Sequence, residues 1–193
     1  MLSLSKLSDM NSILFLLASS RIGGNSELLA QEAAKQLPDS MSQRWLRLSE
    51  YPLGAFVDVR HEGERTYKMP VGNARILLDA TLAAEHLVFA APVYWYSMPA
   101  TAKLYLDHWS HWMRVPGLDF RAQMQGKRML LLSAMAGDNA QEAEPLIKSL
   151  QLTASYMGME WGGHVLAHAN AAGDVSQQPE VMQAARRLLI STP

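Results

Sequence analysis

The stretch SILFLLASSRIGGNS, residues 12–26, decides the fold of this chain. Its first seven residues are almost all apolar, which is typical of a strand that is covered on both faces of a parallel sheet. A turn rich in glycine and serine follows. From Ser26 onward, apolar residues recur at helical spacing, with Leu29, Ala33 and Leu37 at i, i+4 and i+8. The stretch therefore predicts a buried strand, a short loop and a helix.

The same alternation continues along the chain of 193 residues. Further strands are predicted over residues 43–48, 86–91, 127–133 and 161–167. Helices are predicted over residues 26–37, 71–85, 99–112, 141–157 and 179–190. Alternating strands and helices form βαβ units with right-handed crossovers, so the prediction is an α/β doubly wound five-stranded parallel sheet of order 2-1-3-4-5, with helices on both faces. The length fits a single domain over residues 1–193, with one irregular excursion at residues 49–72.

Composition excludes several classes of protein. A net charge of −1 gives no attraction to nucleic acid or to an anionic membrane, and no apolar run approaches the roughly 18 residues of a membrane span. The chain has no cysteine, which excludes disulfides, thiolate metal sites and cysteine nucleophiles. Lys6 before an apolar run loosely resembles a signal peptide, but Asp9 and Asn11 interrupt the start of that run. We therefore expect a cytoplasmic protein without a nucleic-acid partner.

The loop of residues 19–26 combines groups that bind anions. It holds three serines, an asparagine, two glycines and Arg21 directly before a predicted helix. The glycines let backbone N–H groups converge, the helix adds the positive end of its dipole, and Arg21 offers a fork of donors suited to phosphate. An ordinary N-cap at Asn25 or Ser26 would explain the glycines but not the arginine. The P-loop pattern and the Gly-x-Gly-x-x-Gly fingerprint are both absent.

A second unusual loop, APVYWYSMP at residues 91–99, follows the third predicted strand. Its three consecutive aromatic side chains point in different directions, so they cannot all lie in the core. Pro92 and Pro99 stiffen the loop. Such a loop suits the edge of a flat, partly apolar ligand. Packing of Trp95 or Tyr96 on a neighbouring subunit is a compatible alternative. The third loop, SAMAGDN at residues 133–139, is small and contains glycine, as many strand–helix turns do.

Together these loops resemble those of the NADPH-dependent FMN reductase and flavodoxin-like NAD(P)H:quinone oxidoreductase family. That family has a Gly-Ser-x-Arg-x-x-Gly-Asn-Ser/Thr phosphate loop after its first strand, which residues 18–26 match. It also has a Pro-Val-Tyr-Trp loop after its third strand, which residues 92–106 match. Ala18 departs from the usual glycine, and Ser20 stands where other members often have proline. Neither change removes a phosphate donor, and the absence of cysteine excludes the iron–sulfur branch of the family.

The resemblance implies a set of cofactor-binding residues and no metal. Residues implied for the FMN phosphate are Ser19, Arg21, Asn25 and Ser26. Residues implied for the ribityl chain and the ring are Pro92, Val93, Tyr94, Trp95 and Tyr96, with a polar contact from Ser97 and an approach of Ser133 and Gly137 to the pyrimidine side. No catalytic acid or base is implied, although Tyr94 and Tyr96 are candidates for a hydrogen bond or for stacking.

The implied activity is an oxidoreductase that takes hydride from NADPH or NADH onto FMN and then reduces a small-molecule acceptor. Quinones, free flavins, nitro compounds and azo compounds are the acceptor class. The sequence does not choose between the two nicotinamides; Arg60, His61 and Arg65 are candidates for binding a 2′-phosphate. Two alternatives remain open, a flavodoxin-type electron carrier and a non-enzymatic domain that binds a phosphate ligand. A carrier would need a strongly acidic face, which a net charge of −1 does not favour.

Histidines and tryptophans near residue 110 raise two further questions. His108 and His111 share a face of a predicted helix, but the pair lacks the glutamate and third ligand of a zinc site, so a surface or interface role is predicted. His164 and His168 would share a face only if their stretch were helical. If Trp109, Trp112 and Met113 were exposed, they would form a patch that favours a homodimer or a higher homo-oligomer; the alternative is core packing.

Overall fold

The computed structural model describes residues 12–61 and 66–190. The strands are β1 (Ser12–Leu17), β2 (Ser42–Arg47), β3 (His86–Ala90), β4 (Arg128–Met135) and β5 (Glu160–His168). The helices are α1 (Asn25–Ala34), α2 (Gly72–Ala83), α3 (Ala100–Trp112), α4 (Phe120–Met124), α5 (Glu144–Met157) and α6 (Pro179–Ile190). Lys6, Asp9, Asn11 and Arg65, which entered the sequence analysis, lie outside the described residues. No helix within these two ranges is long and apolar enough to cross a bilayer.

The sheet has the strand order β2-β1-β3-β4-β5 and all its pairs are parallel, which confirms the predicted topology. Its register aligns Leu17 of β1 with Ala90 of β3, so these two strands end side by side. The ladder continues past the strand ends, because the Ala18 N–H donates to the Ala90 carbonyl and the Val93 N–H donates to the Ala134 carbonyl. The loops after β1, β3 and β4 are therefore held at one edge of the sheet.

Two apolar cores cover the two faces of the sheet. On β1, Leu14 and Leu16 belong to one core and Ile13, Phe15 and Leu17 to the other, as expected when successive side chains point to opposite faces. The first core includes α2, α3 and α5, and the second includes α1 and α6. Because both faces are covered, the central strands are apolar throughout rather than alternating, which is why they were recognisable from the sequence.

The structure decides two alternatives that the sequence left open and corrects the predicted helices at two points. The residues Trp109 and Trp112 lie in the first core and are almost fully buried, so they form no exposed patch. The short helix α4 was not predicted, and residues 141–143 form a 3₁₀ turn (Ala140–Ala143) before α5 instead of its first turn. The stretch that contains His164 and His168 is strand β5, so the helical alternative for that pair is wrong.

His108 and His111 hold the irregular excursion after β2 against α3. The His108 Nε2 lies 3.0 Å from the Gly54 carbonyl, and the His111 Nε2 lies 2.8 Å from the Lys68 carbonyl, so each ring nitrogen donates to a backbone oxygen. The ring of Tyr67 stacks on His111 with centroids 4.5 Å apart. These histidines therefore serve an internal contact that the sequence analysis did not anticipate. No group of three or more potential metal ligands occurs within residues 12–61 and 66–190.

Candidate functional site

A cleft of about 200 Å³ opens at the carboxyl ends of β1, β3 and β4. The residues that line it come from four loops: Ser19, Arg21, Gly24, Asn25, Ser26, Pro92, Val93, Tyr94, Ala134, Met135, Ala136, Ala169 and Asn170. Seven of these were predicted as cofactor-binding residues from the sequence: Ser19, Arg21, Asn25, Ser26, Pro92, Val93 and Tyr94. The location agrees with the rule that open parallel sheets bind ligands beyond the carboxyl ends of their strands. We call this the first cleft.

The loop of residues 19–26 is folded around its own polar groups. The Arg21 N–H donates to the Ser19 hydroxyl at 3.0 Å, which bends the chain directly after β1. The Gly23 N–H donates to a carboxylate oxygen of Glu27 at 2.8 Å, and Arg47 donates to the other oxygen at 2.7 Å. The buried negative charge of Glu27 is therefore compensated from behind the loop. A Cβ on Gly24 would lie only 3.2 Å from the Ser19 Oγ, so the loop leaves little room for a side chain there.

The Ser26 hydroxyl is the clearest sign of a ligand in this loop. It lies in the first turn of α1, is 1% exposed, and has no hydrogen-bond partner among the residues that the structure describes. Buried hydroxyls in folded proteins are nearly always paired, so one that faces a cleft indicates a partner supplied from outside the chain. The helix start adds to this, because α1 has no side-chain cap and its first N–H groups point toward the same space.

Asn25 connects the loop of residues 19–26 to the loop after β5. Its amide nitrogen donates to the Ala171 carbonyl at 2.9 Å, and its amide oxygen accepts from the N–H groups of Gly173 at 3.1 Å and Val175 at 3.4 Å. This leaves a single amide hydrogen free for a ligand. The loop after β5 forms one wall of the cleft through Ala169 and Asn170. No local sequence pattern indicates this wall, because the contact joins residues almost 150 positions apart.

The aromatic loop forms a tight turn. The backbone groups of Tyr94 and Ser97 exchange two hydrogen bonds, at 2.9 and 3.0 Å, and the central residues Trp95 and Tyr96 have φ of 50° and 63°. Two positive φ values in a two-residue turn are typical of type I′, which normally uses asparagine or glycine. Trp95 is 92% exposed and Tyr96 is 56% exposed. The turn thus presents large aromatic side chains to solvent at a backbone cost of about 1 kcal/mol or more for each residue.

A second cleft lies beside this turn and is lined by Val93, Trp95, Tyr96, Met135, Ala136, Gly137 and Glu142. Val93, Met135 and Ala136 line both clefts, so the two clefts adjoin. The floor at Gly137 is shaped by its neighbours: His168 donates through Nδ1 to the Gly137 carbonyl at 2.6 Å, and a Cβ on Gly137 would lie 3.0 Å from the Glu142 carboxylate. One end of the joined space carries anion-binding groups, and the other carries aromatic rings.

Tyr94 links the two ends. Its hydroxyl shares a hydrogen bond of 3.2 Å with the Ser20 hydroxyl, so the aromatic turn is tied to the phosphate loop. Desolvation alone would raise the pKa of Tyr94. Hydrogen bonds with Ser20 and Ser19 and the charge of Arg21 outweigh that effect and lower the pKa below its usual value. The phenol therefore lies in the positive field of the anion-binding end.

Two predicted residues lie outside the lining of both clefts. The Ser133 hydroxyl is buried and donates to the Ala91 carbonyl at 2.7 Å, which fixes the end of β4 to the end of β3. Ser97 closes the aromatic turn through its backbone and is exposed. Among the candidates for a 2′-phosphate, Arg60 is already paired with Asp58, and this pairing lowers the pKa of that carboxyl to about 2.

The flavodoxin-like fold family matches residues 11–190 of this chain. The chain belongs to that family. A relative in Bacillus subtilis, strain 168, named as an NAD(P)H-dependent FMN-containing oxidoreductase, is 32% identical over 171 residues, which are 88% of this chain and 91% of the relative. An FMN-dependent NADH:quinone oxidoreductase of Pseudomonas putida is 26% identical over 64% of this chain and 69% of its own length.

Solved structures share the fold of this chain. The Trp repressor binding protein from Bacillus subtilis has a TM-score of 0.73 at 26% identity, with coverage of 94% of this chain and 99% of that protein. An FMN-dependent NADH-azoreductase from Bacillus anthracis, solved with FMN, has a TM-score of 0.63 at 16% identity and covers 92% and 99%; at that identity it shows the shared fold alone. The family named from the two loop motifs is thereby confirmed.

Proposed function

We propose that this protein is an FMN-dependent NAD(P)H oxidoreductase that reduces a quinone or a similar flat acceptor, such as a flavin, a nitro compound or an azo compound. The observation that carries the proposal is that the two clefts adjoin and carry complementary groups. A buried unpaired serine hydroxyl and an arginine lie at one end, and an exposed aromatic turn lies at the other. Relatives that are named as FMN-dependent oxidoreductases support the same assignment.

The residues present fit FMN. The Ser26 hydroxyl needs a hydrogen-bond partner, and a phosphate oxygen accepts from it and from the first N–H groups of α1. Arg21 is exposed and lines the first cleft. Within the described residues, its guanidinium donates a long hydrogen bond of 3.4 Å to the Asn170 carbonyl. The residues that would hold the phosphate are Ser19, Arg21, Asn25 and Ser26. Those that would hold the ribityl chain and the ring are Pro92, Val93, Tyr94, Trp95, Tyr96 and Gly137.

The chain contributes position and electrostatics to the reaction. When bound, FMN supplies the chemistry, since it accepts hydride from a nicotinamide and passes electrons to an acceptor. Arg21 and the start of α1 neutralise the phosphate, and the small loop at residues 134–137 lets backbone groups approach the ring. The open position of Trp95 and Tyr96 leaves space for flat molecules to enter and leave. No side chain is needed as a general acid or base.

Two measurements test the proposal. FMN should bind to the purified protein in a titration followed by quenching of flavin fluorescence. Under anaerobic conditions, NADH or NADPH should then bleach the bound flavin's absorbance in a stopped-flow mixture, and a quinone should restore it. If the protein binds FMN but neither nucleotide bleaches the flavin, the protein is an electron carrier rather than a reductase. If the protein does not bind FMN at all, the remaining alternative is a non-enzymatic domain that binds another phosphate ligand.

The proposal also covers the number of domains, the location in the cell and the oligomeric state. We infer a single domain over residues 1–193, supported by the family match to residues 11–190. We infer a cytoplasmic location, which fits a family of FMN-dependent oxidoreductases. We infer a homodimer or a higher homo-oligomer. Trp109 and Trp112 are buried and give no support for it, but the exposed rings of Trp95 and Tyr96 could pack on a second copy of the chain. Light scattering after size-exclusion chromatography tests the last point; the mass of one chain, 21.4 kDa, would overturn it.

A further inference from the structure

A single carboxylate lies on the wall of the second cleft. Glu142 belongs to the 3₁₀ turn Ala140–Ala143, which its backbone N–H closes by donating to the Asn139 carbonyl at 3.0 Å. Its side chain is half-buried and lines the same cleft as Trp95 and Tyr96. A carboxylate oxygen comes within 3.0 Å of the position that a Cβ on Gly137 would occupy, so the group lies directly over the glycine floor.

Glu142 differs from the other partly or fully buried glutamates that flank the sheet. Glu27 is paired with Arg47, and Glu32 is paired with Lys35 and Arg186. By contrast, no Lys, Arg or His within the described ranges lies within 4.0 Å of the Glu142 carboxylate, and no side chain there hydrogen-bonds to it. Because no cation within these ranges compensates the carboxylate, its field extends into the cleft that it lines.

The joined clefts are therefore electrically asymmetric. Arg21 and the start of α1 make the first cleft positive, and Glu142 makes the second cleft negative. A molecule with an anionic group at one end and a neutral ring at the other fits this arrangement in a single orientation. A second molecule that enters beside Trp95 meets the carboxylate first, and its own charge decides whether that encounter is favourable.

We propose that Glu142 determines the charge preference for the electron acceptor: its carboxylate disfavours anionic acceptors relative to neutral ones, and it lowers the reduction potential of the bound flavin. This inference rests on the proposed function, because it needs a flavin ring in the second cleft. The physical reason is common to both effects. A fixed negative charge beside the ring opposes any added electron density, and it repels an anion that approaches the same space.

The chain offers a matched control. Glu144 lies two residues further on, at the start of α5, where it is exposed and lines neither cleft. The variants Glu142→Gln and Glu144→Gln remove the same charge from almost the same part of the sequence. Glu142→Asp keeps the charge but shortens the side chain, so it separates an electrostatic role from a packing role.

The test compares an uncharged naphthoquinone with its sulfonated, anionic counterpart as acceptors for the FMN-loaded protein. In E142Q we expect the ratio of kcat/KM for the anionic over the neutral quinone to rise about 5- to 10-fold, as for unit charges roughly 10 Å apart in a partly solvated cleft. The ratio should change less than twofold in E144Q and in E142D. At high salt the difference between E142Q and wild type should shrink. The midpoint potential of bound FMN, measured by equilibrium dye titration, should rise in E142Q alone.

Each outcome decides the inference. An unchanged quinone ratio and potential in E142Q would overturn it, and so would E142D behaving like E142Q, since that would indicate packing rather than charge. Loss of FMN binding in E142Q would overturn it as well. If wild-type protein binds no FMN, the proposed function itself fails, and that result is visible in the titration before any variant is measured.

Discussion

The loops after β1 and β3 follow neighbouring strands and line two adjoining clefts, yet they are built in opposite ways. In the loop of residues 19–26, Ser19, Asn25 and Ser26 are buried, and the fold of the loop is determined by hydrogen bonds to its own backbone and to the loop after β5. In the aromatic turn, Trp95 and Tyr96 are exposed and hold positive φ angles. The first loop is a rigid, internally paired anchor, and the second is an open, conformationally costly platform.

This difference suggests a division of labour. A cofactor that stays bound through many turnovers needs a preformed anchor, because preorganised donors bind without further loss of entropy. A partner that enters and leaves with every turnover needs an open surface. Buried hydrogen bonds stabilise the loop of residues 19–26, whereas the aromatic turn at residues 94–97 holds a strained backbone. Variants at each loop should therefore separate effects on folding, on FMN affinity and on reactions at the open face.

The largest effect on stability is expected from Asn25→Ala. The change leaves the buried Val175 N–H and the Gly173 N–H without their acceptor and the Ala171 carbonyl without its donor. Unpaired buried groups of this kind cost about 1–3 kcal/mol each, so the free energy of unfolding of the FMN-free protein should fall by about 2–4 kcal/mol. Urea denaturation followed by circular dichroism measures it.

A control for this variant is Asn73→Ala. Asn73 makes one hydrogen bond, to the Pro52 carbonyl at 3.0 Å, in an exposed position. Its loss should cost less than about 1 kcal/mol. If both variants lose the same stability, the loop after β5 is not held by Asn25 and the description of a rigid anchor is wrong.

Ser26→Ala should lower FMN affinity without lowering the stability of the FMN-free protein. The hydroxyl has no partner within the described chain, so its removal relieves an unpaired buried group, but it deletes a hydrogen bond to a charged phosphate worth about 1.5–3 kcal/mol. The dissociation constant should rise by about 10- to 150-fold. Ser133→Ala is the matched control: that buried hydroxyl is paired with Ala91, so its loss should lower stability by about 1 kcal/mol. The reverse pattern would contradict the assignment of Ser26.

The smallest effect is expected at the platform. Tyr96→Gly places the residue that φ of 63° prefers, so the free energy of unfolding should rise by up to about 1 kcal/mol, measured as a higher urea midpoint. The same variant should raise KM for a quinone because an aromatic surface is lost. Tyr156→Gly, at an equally exposed tyrosine in the last turn of α5, should instead lose about 1 kcal/mol, since glycine is a poor helix former and the contact of the ring with Arg121 is lost. Equal losses would show that the turn at residues 94–97 is unstrained.

Most of the fold followed from the sequence because a doubly covered sheet leaves a strong local pattern. The apolar runs of β1, β3 and β4 and the loops after them were all recognisable, and the strand order follows from general rules of chain topology. Short, irregular or edge elements were harder to predict from the sequence. The helix α4 spans only five residues, and the start of α5 differs by a 3₁₀ turn, which local pattern does not resolve.

The candidate site was predictable where its residues are adjacent in sequence, and not where they meet through the fold. The phosphate loop and the aromatic loop each form a compact motif. Asn170 forms a wall because contacts from distant residues, Asn25 among them, hold the loop after β5. Glu142 reaches the cleft from the turn before α5. The burial of Trp109 and Trp112 likewise depends on neighbours such as Phe120, which contacts both rings. Such contacts have no signature within a short stretch of sequence.

The central claim is that the loop of residues 19–26 binds the phosphate of FMN, and comparison of FMN with riboflavin tests it most directly. Riboflavin lacks the phosphate, so its affinity should not depend on Arg21. For Arg21→Ala we expect the dissociation constant of FMN to rise about 10- to 150-fold, from the loss of about 1.5–3 kcal/mol, while that of riboflavin stays within twofold. Arg44→Ala, an equal charge change at an exposed position of β2, should alter neither. If R21A weakens FMN and riboflavin equally, or weakens neither, the phosphate lies elsewhere and the account is wrong.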